Sequence, residues 1–186
     1  MAFGPGSVYQ IDATVGDIYL VSELNPQHLI GRPVIYLVVD VFSRMVVGLS
    51  VTLEGPSWLG AMLALENAAV EKTGFCARYG VTLSAGEWPA QHLPEMLLAD
   101  RGELEGYNAD HIAHDLNIVV SNTAPYRADM KGIVEQCFRL TNLRLLHHLP
   151  GAVREQERGS ADYRLEARLT LSQLTTLLIR SLLYHH

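Results

Sequence analysis

Residues 34–39 read Val-Ile-Tyr-Leu-Val-Val and stay apolar on both faces until Asp40. A strand of that kind must be covered on both sides, which calls for a layered α/β domain rather than a sheet with one face in water. Two further β-rich runs flank it. VYQIDATVGDIYLV at 8–21 reads as one long strand, or a strand with a bulge near Gly16 and Asp17, and MVVGLSVTL at 45–53 as another. Ser43 and Arg44 make a tight turn between the second and third runs. Residues 22–33, with Asn25-Pro26 and Gly31 ahead of Pro33, read as a loop. Connections this short predict an antiparallel meander.

The period then changes. Trp58, Met62, Leu65 and Ala69 mark a helical stripe from Ser57, its N-cap, to about Arg78. Residues 80–93 carry Gly80, Gly86 and Pro89 and read as a loop. A short buried strand follows at 95–100, then a brief helix capped by Asn108, then a strand at 117–122. Strand–helix–strand order implies a parallel pair. After the loop at 123–131, a long helix runs from about residue 129 or 130 to His148, where Pro150 and Gly151 end it. The expected fold is therefore α/β: a five-stranded mixed sheet, an antiparallel meander plus two parallel strands, flanked by helices. Residues 1–150 form this core. The polar stretch 151–169 reads as a linker, and Thr170-Leu-Ser-Gln173 is a capping box opening a helix through Leu183. Residues 170–186 are read as the start of a C-terminal helical extension, so the chain is expected to be part of a larger protein.

Composition narrows the classes. With 186 residues and 48% hydrophobic content the chain is long enough for a real core. Cys76 and Cys137 lie far apart in apolar surroundings, so neither a zinc ribbon nor a disulfide framework is indicated. The N-terminus lacks a signal-peptide pattern, and no apolar run approaches the roughly 20 residues that span a bilayer. A soluble, cytoplasmic protein with no membrane partner is expected. The net charge of −6 excludes a uniformly basic nucleic-acid binder.

Three carboxylates stand where polar groups are costly. Asp12 lies within the first strand, Asp100 closes the fourth after Met96–Ala99, and Glu135 sits in the long helix between Val134 and Cys137-Phe138. Strand ends of an open α/β sheet are ligand sites. Three converging carboxylates repel one another unless cations are present, and hard oxygen donors suit Mg²⁺ or Mn²⁺. Two such ions about 3.5–4 Å apart can drive an in-line phosphoryl displacement. Taken singly, Asp12 and Asp100 read better as ordinary strand-end residues and Glu135 as a surface helix residue. No phosphate-binding loop of the NTPase kind is present.

The words around these residues carry more. IDATVGDIYLVS, VIYLVVDVFSRMVVG, LLADRGEL and SNTAPYRADMKGIVE, in this order, resemble the catalytic core of DDE transposases and retroviral-type integrases. The resemblance covers about residues 8–148. The long interval from Asp12 to Asp100 looks most like the TnsB-type transposase, also related to Mu transposase, and DYRLEARLTLSQLTTLLIRSLL is similar to that type as well. It implies an RNase H-like fold with Asp12, Asp100 and Glu135 as catalytic, metal-binding triad, two Mg²⁺ ions for which Mn²⁺ can substitute, and DNA as substrate. The implied reaction is cleavage at transposon 3′ ends by water, then attack of the freed 3′-hydroxyl on target DNA. Implied partners are further transposase copies on paired ends, an endonuclease and an ATP-dependent target-selection protein.

Arg101, Tyr126, Arg127 and Lys131 are the candidate DNA contacts, the last three on the loop leading to the Glu135 helix. Gly132 matches a family position that relaxes this junction. Asp40 is read as structural, pairing with Ser43 or Arg44, and Asp17 as solvated. His111, His114, His147, His148, His185 and His186 are read as surface or helix-end residues, and Trp58 and Trp88 as core or loop anchors. Two alternatives stand beside this reading: an RNase H-like nuclease, against which PYRADMKGIVE argues, and an inactive, domesticated core acting as a DNA-bound scaffold. Charge by region agrees with DNA. Residues 91–115 carry six acids and one base, whereas 122–154 carry five bases and two acids. Backbone affinity rests on local basic surface rather than the total.

Overall fold

The computed structural model describes residues 2–99, 115–122, 132–139, 145–153 and 162–185. Among these residues seven strands form: β1 (Val8–Val15), β2 (Leu20–Val21), β3 (Leu29–Gly31), β4 (Val34–Asp40), β5 (Val46–Thr52), β6 (Met96–Ala99) and β7 (Val119–Asn122). Five of them make one sheet in the order β5-β4-β1-β6-β7. β1 pairs antiparallel with β4 from Tyr9↔Asp40 to Val15↔Val34, and β4 antiparallel with β5. β6 runs parallel to β1 on one side and to β7 on the other. The meander and the parallel pair are both as expected, and this order and polarity are those of an RNase H-like sheet. Every residue of β4 is buried, as a strand without a polar face requires.

The first run is not one strand. β1 stops at Val15, and Gly16 N–H donates to Pro33 O at 2.7 Å. Gly16 is small because a Cβ there would meet Pro33 and Ile35 at 3.1–3.2 Å. The chain then leaves the main sheet, and Leu20–Val21 pairs with Leu29–Gly31 in a separate two-stranded ribbon. Part of the expected loop at 22–33 is thus β3. Later segments dock on the same stretch: Tyr19 N–H donates to Gly151 O, Val153 N–H to Asp17 O and Val21 N–H to Leu169 O, each at 2.9 Å. Gly151 has φ +85°, and a Cβ there would meet Ala167 Cα at 2.8 Å.

The expected helix 57–78 is two helices, α1 (Trp58–Ala69) and α2 (Lys72–Arg78). Ser57 caps α1 as expected, its side chain accepting from Gly60 N–H. Val70 is extended at φ −97°, ψ 159°, and Glu71 caps α2 through Thr73 N–H. Lys72 holds the break: its ammonium donates to Val70 O at 2.7 Å, Ala90 O at 2.5 Å and Ala68 O at 3.4 Å. α1 packs close to β5, where a Cβ on Gly48 would stand 2.3 Å from Ala64 O. Beside that contact, Asn67 Oδ1 accepts from Leu49 N–H on the sheet's edge strand at 3.0 Å.

Residues 132–139 are helical (α3). The long helix expected through His148 ends differently, because Leu146–His148 is a 3-10 turn. Leu171–His185 forms α4, and its capping box is present: Gln173 N–H donates to Thr170 Oγ1 and Thr170 N–H to Gln173 Oε1. Leu174, Leu178, Ile179 and Leu182 of α4 are buried in the same core as the sheet. Among the described residues, no helix is long and apolar enough to cross a membrane.

Candidate active site

Alternation along β1 puts Gln10, Asp12 and Thr14 on one face of the sheet and Tyr9, Ile11 and Ala13 on the other. The register extends each face across β4: Asp12 stands opposite Leu37 and Gln10 opposite Val39, while Tyr9 stands opposite Asp40. α1 lies on the Tyr9 face. The Tyr36 hydroxyl accepts from Ser57 N–H at 2.6 Å, and a Cβ on Gly60 would strike the Tyr36 ring at 2.4 Å. Asp12 therefore faces away from α1, at the centre of the sheet, where the antiparallel and parallel halves meet. It is half-buried, and its Oδ1 accepts from Ala13 N–H at 3.0 Å.

Glu135 is exposed on α3, whose Val134 and Phe138 are buried. Gly132, Glu135, Gln136 and Arg139 line an open cavity of about 340 Å³. The neighbouring side of α3 faces the β4–β5 turn and the end of α4. There Arg44, Met45, Ile133, Cys137, Leu182 and His185 line a second cavity of about 510 Å³. Burial pushes the Cys137 thiol pKa up, against the opposing pull of Arg44.

The other candidates divide clearly. Asp100, Arg101, Tyr126, Arg127 and Lys131 lie outside the described residues, as do His111, His114 and His186. Asp40 is structural, as expected: it is 1% exposed and accepts from Ser43 N–H at 2.8 Å, Ser43 Oγ–H at 2.5 Å and Gly6 N–H at 3.2 Å. Asp17 is exposed and pairs with Arg32 at 2.5 Å. Trp88 is a core anchor whose indole N–H donates to Val46 O at 2.7 Å. Cys76 is buried, and burial pushes its thiol pKa up to about 11. Sequence reasoning passed over Gln10, a polar side chain only 2% exposed on the Asp12 face. The signal was available as a polar residue two positions from Asp12 in an otherwise apolar strand.

Among the described residues, no group of three or more His, Cys, Asp or Glu side chains is placed to hold a metal ion. The donor chemistry nevertheless fits a hard cation. Asp12 supplies carboxylate oxygen, and the amide oxygen of Gln10 on the same face is buried without a hydrogen-bond partner among the described residues. A cation that keeps part of its water shell, as Mg²⁺ does, suits such a mixture.

Strand order, strand polarity and a central carboxylate define an RNase H-like α/β domain. Residues 10–151 match the TnsB C-terminal domain family, and the chain belongs to that family. It is 43% identical over 188 positions to the transposon Tn7 transposition protein TnsB of Escherichia coli, an alignment covering all of this chain and 27% of that protein. It is 26% identical over 159 positions to the transposase for transposon Tn552 of Staphylococcus aureus, covering 84% of this chain and 30% of that one. The chain thus spans less than a third of the length of these relatives. Solved structures similar to it include the catalytic core domain of BIV integrase, at 17% identity and TM-score 0.44 over 91% of this chain and 82% of that one. The HTLV-2 integrase catalytic core domain in complex with magnesium also matches, at 15% identity and TM-score 0.44 over 80% and 77%.

Proposed function

We propose that this chain is the catalytic core of a DNA transposase, performing metal-dependent cleavage at transposon 3′ ends and joining of those ends to target DNA. The observation that carries the reading is the place of Asp12, within a chain of the TnsB C-terminal domain family. β1 and β6 are parallel neighbours with Gln10 paired to Leu98. Asp12 is two residues beyond Gln10, and Asp100 is two residues beyond Leu98. Asp12 on β1, Asp100 next in the sequence after Ala99, the last residue of β6, and Glu135 on α3 would together be a donor set for two Mg²⁺ or Mn²⁺ ions.

Such ions, if held there, would activate an attacking oxygen and offset charge on the departing 3′ oxygen of a phosphodiester. The protein's own part is positioning. Asp12 rides on the central strand, which pairs with β4 along its length and with β6 up to Gln10, and this holds its backbone in place. In the first step water attacks the phosphorus and the P–O3′ bond breaks, freeing a 3′-hydroxyl. In the second, that hydroxyl attacks a target phosphodiester: a new P–O3′ bond forms, the target strand's own P–O3′ bond breaks, and a target 3′-hydroxyl leaves. Arg101, Tyr126, Arg127 and Lys131 are proposed DNA contacts. The proposed partners are DNA ends, target DNA, further copies of the transposase, an endonuclease and an ATP-dependent target-selection protein.

The test is end joining by the full-length protein, with precleaved ends and target plasmid in Mg²⁺ or Mn²⁺. Asp12→Asn, Asp100→Asn and Glu135→Gln are each expected to lose joining by at least about a thousandfold, with end binding and melting temperature unchanged. Joining within tenfold of native in any of the three removes that residue from the site. Cleavage of an RNA–DNA hybrid without strand joining would favour a ribonuclease instead.

A further inference from the structure

We infer that Gln10 is a positioning residue for the Asp12 site, its amide oxygen accepting a hydrogen bond from a water held by a divalent cation. This rests on the reading of Asp12 as a metal ligand. Gln10 is 2% exposed, and its Oε1 has no hydrogen-bond partner among the described residues. Its neighbours in register are Val39 on β4 and Leu98 on β6, and neither side chain offers a donor. A buried amide oxygen without a partner lowers stability unless something arrives to satisfy it.

The position says what arrives. Gln10 and Asp12 share a face of β1 two residues apart, a separation of about 7 Å. Side chains placed in this way reach a common ligand, either a cation or a water that the cation holds. Magnesium retains water in protein sites, and its waters are strong donors that need acceptors. An acceptor oxygen fixed in the sheet would orient one such water, as the outer partners of metal sites commonly do.

The experiment measures Mn²⁺ affinity by the electron paramagnetic resonance signal of the free ion, together with melting in the absence of metal. Native protein is compared with Gln10→Met, Gln10→Glu and Asp12→Asn. Gln10→Met keeps the side chain's length and removes the acceptor. It is expected to melt at or above the native temperature without metal and to bind Mn²⁺ about tenfold more weakly. Gln10→Glu keeps an acceptor oxygen and is expected to bind at least as tightly as native, which holds the inference open to refutation if Gln10→Met folds poorly. Asp12→Asn is expected to lose Mn²⁺. Native affinity in Gln10→Met with loss in Asp12→Asn overturns the role of Gln10 and leaves the Asp12 reading standing. Native affinity in Asp12→Asn overturns the metal reading itself. A lower metal-free melting temperature in Gln10→Met also overturns the inference, because the amide would then serve the metal-free fold.

Discussion

Lys72 is the sharpest test of how the helical layer is held on the sheet. Its side chain is 1% exposed, and its ammonium lies 5.6 Å from the centre of the Trp88 ring. Three carbonyl oxygens take its three protons, two of them at 2.7 and 2.5 Å. Lys72→Met keeps the aliphatic stem and orphans those two close acceptors. Each orphaned buried carbonyl costs about 1–3 kcal/mol, and the gain from no longer burying a charge offsets part of this. The expected net loss is about 2–4 kcal/mol, read as a lower urea midpoint with an unchanged slope. A change below about 0.5 kcal/mol would refute the reasoning, since that is the range of substitutions touching nothing important.

The pH dependence gives the same residue an independent signature. Burial lowers the Lys72 pKa from its ordinary 10.5 to about 8. Between these values the unfolded chain binds more protons, so stability rises with pH from about 8 toward 10.5. Cys76 works in the opposite sense. Its pKa is raised from 9.0 to about 11, so the unfolded thiol ionises first and stability falls across that interval. The unopposed window is pH 8–9. A rise in stability there, at most about 1.4 kcal/mol per pH unit, should be present in native protein and absent from Lys72→Met.

Other substitutions separate contact from conformation. Gly48→Ala would place a Cβ 2.3 Å from Ala64 O and should lower stability by about 1–3 kcal/mol in thermal melts. Gly74→Ala, in α2 with nothing within 4 Å, should be neutral or stabilising by up to about 1 kcal/mol, so the pair sets a crowded strand glycine against an open helical one. Asn67→Ala should uncover the Leu49 amide, costing about 1–3 kcal/mol and speeding hydrogen exchange at Leu49 selectively. Thr170→Ala should cost about 1 kcal/mol by removing one arm of the capping box at α4.

Local chemistry made much of the fold legible. Ser57 and the Thr170–Gln173 box announce helix starts because capping bonds reach only three residues. Asp40 was readable as a turn residue for the same reason, since Ser43 is three positions on. Two of the failures involve distant partners. The β1 run ends at Val15 because residues 17–21 find their backbone partners at 29–31, 151–153 and 169, which no local period reveals. The α1–α2 break depends on Ala90, eighteen residues beyond Lys72. The helix expected to continue through His148 gives way to a 3-10 turn just ahead of Pro150.

The candidate site divides along the same line. The sequence by itself determined that a carboxylate sits in an apolar strand, that its surrounding words match a transposase core, and that five strands form a mixed sheet. Those properties follow from residue type, order and short-range periodicity. Only the tertiary structure decided that β1 lies at the centre, with β4 antiparallel on one side and β6 parallel on the other. It alone decided that Asp12 faces away from α1, and that Gln10 is buried beside it with an oxygen that has no partner among the described residues. Face and burial depend on which strands become neighbours, and that is set by packing the whole chain at once.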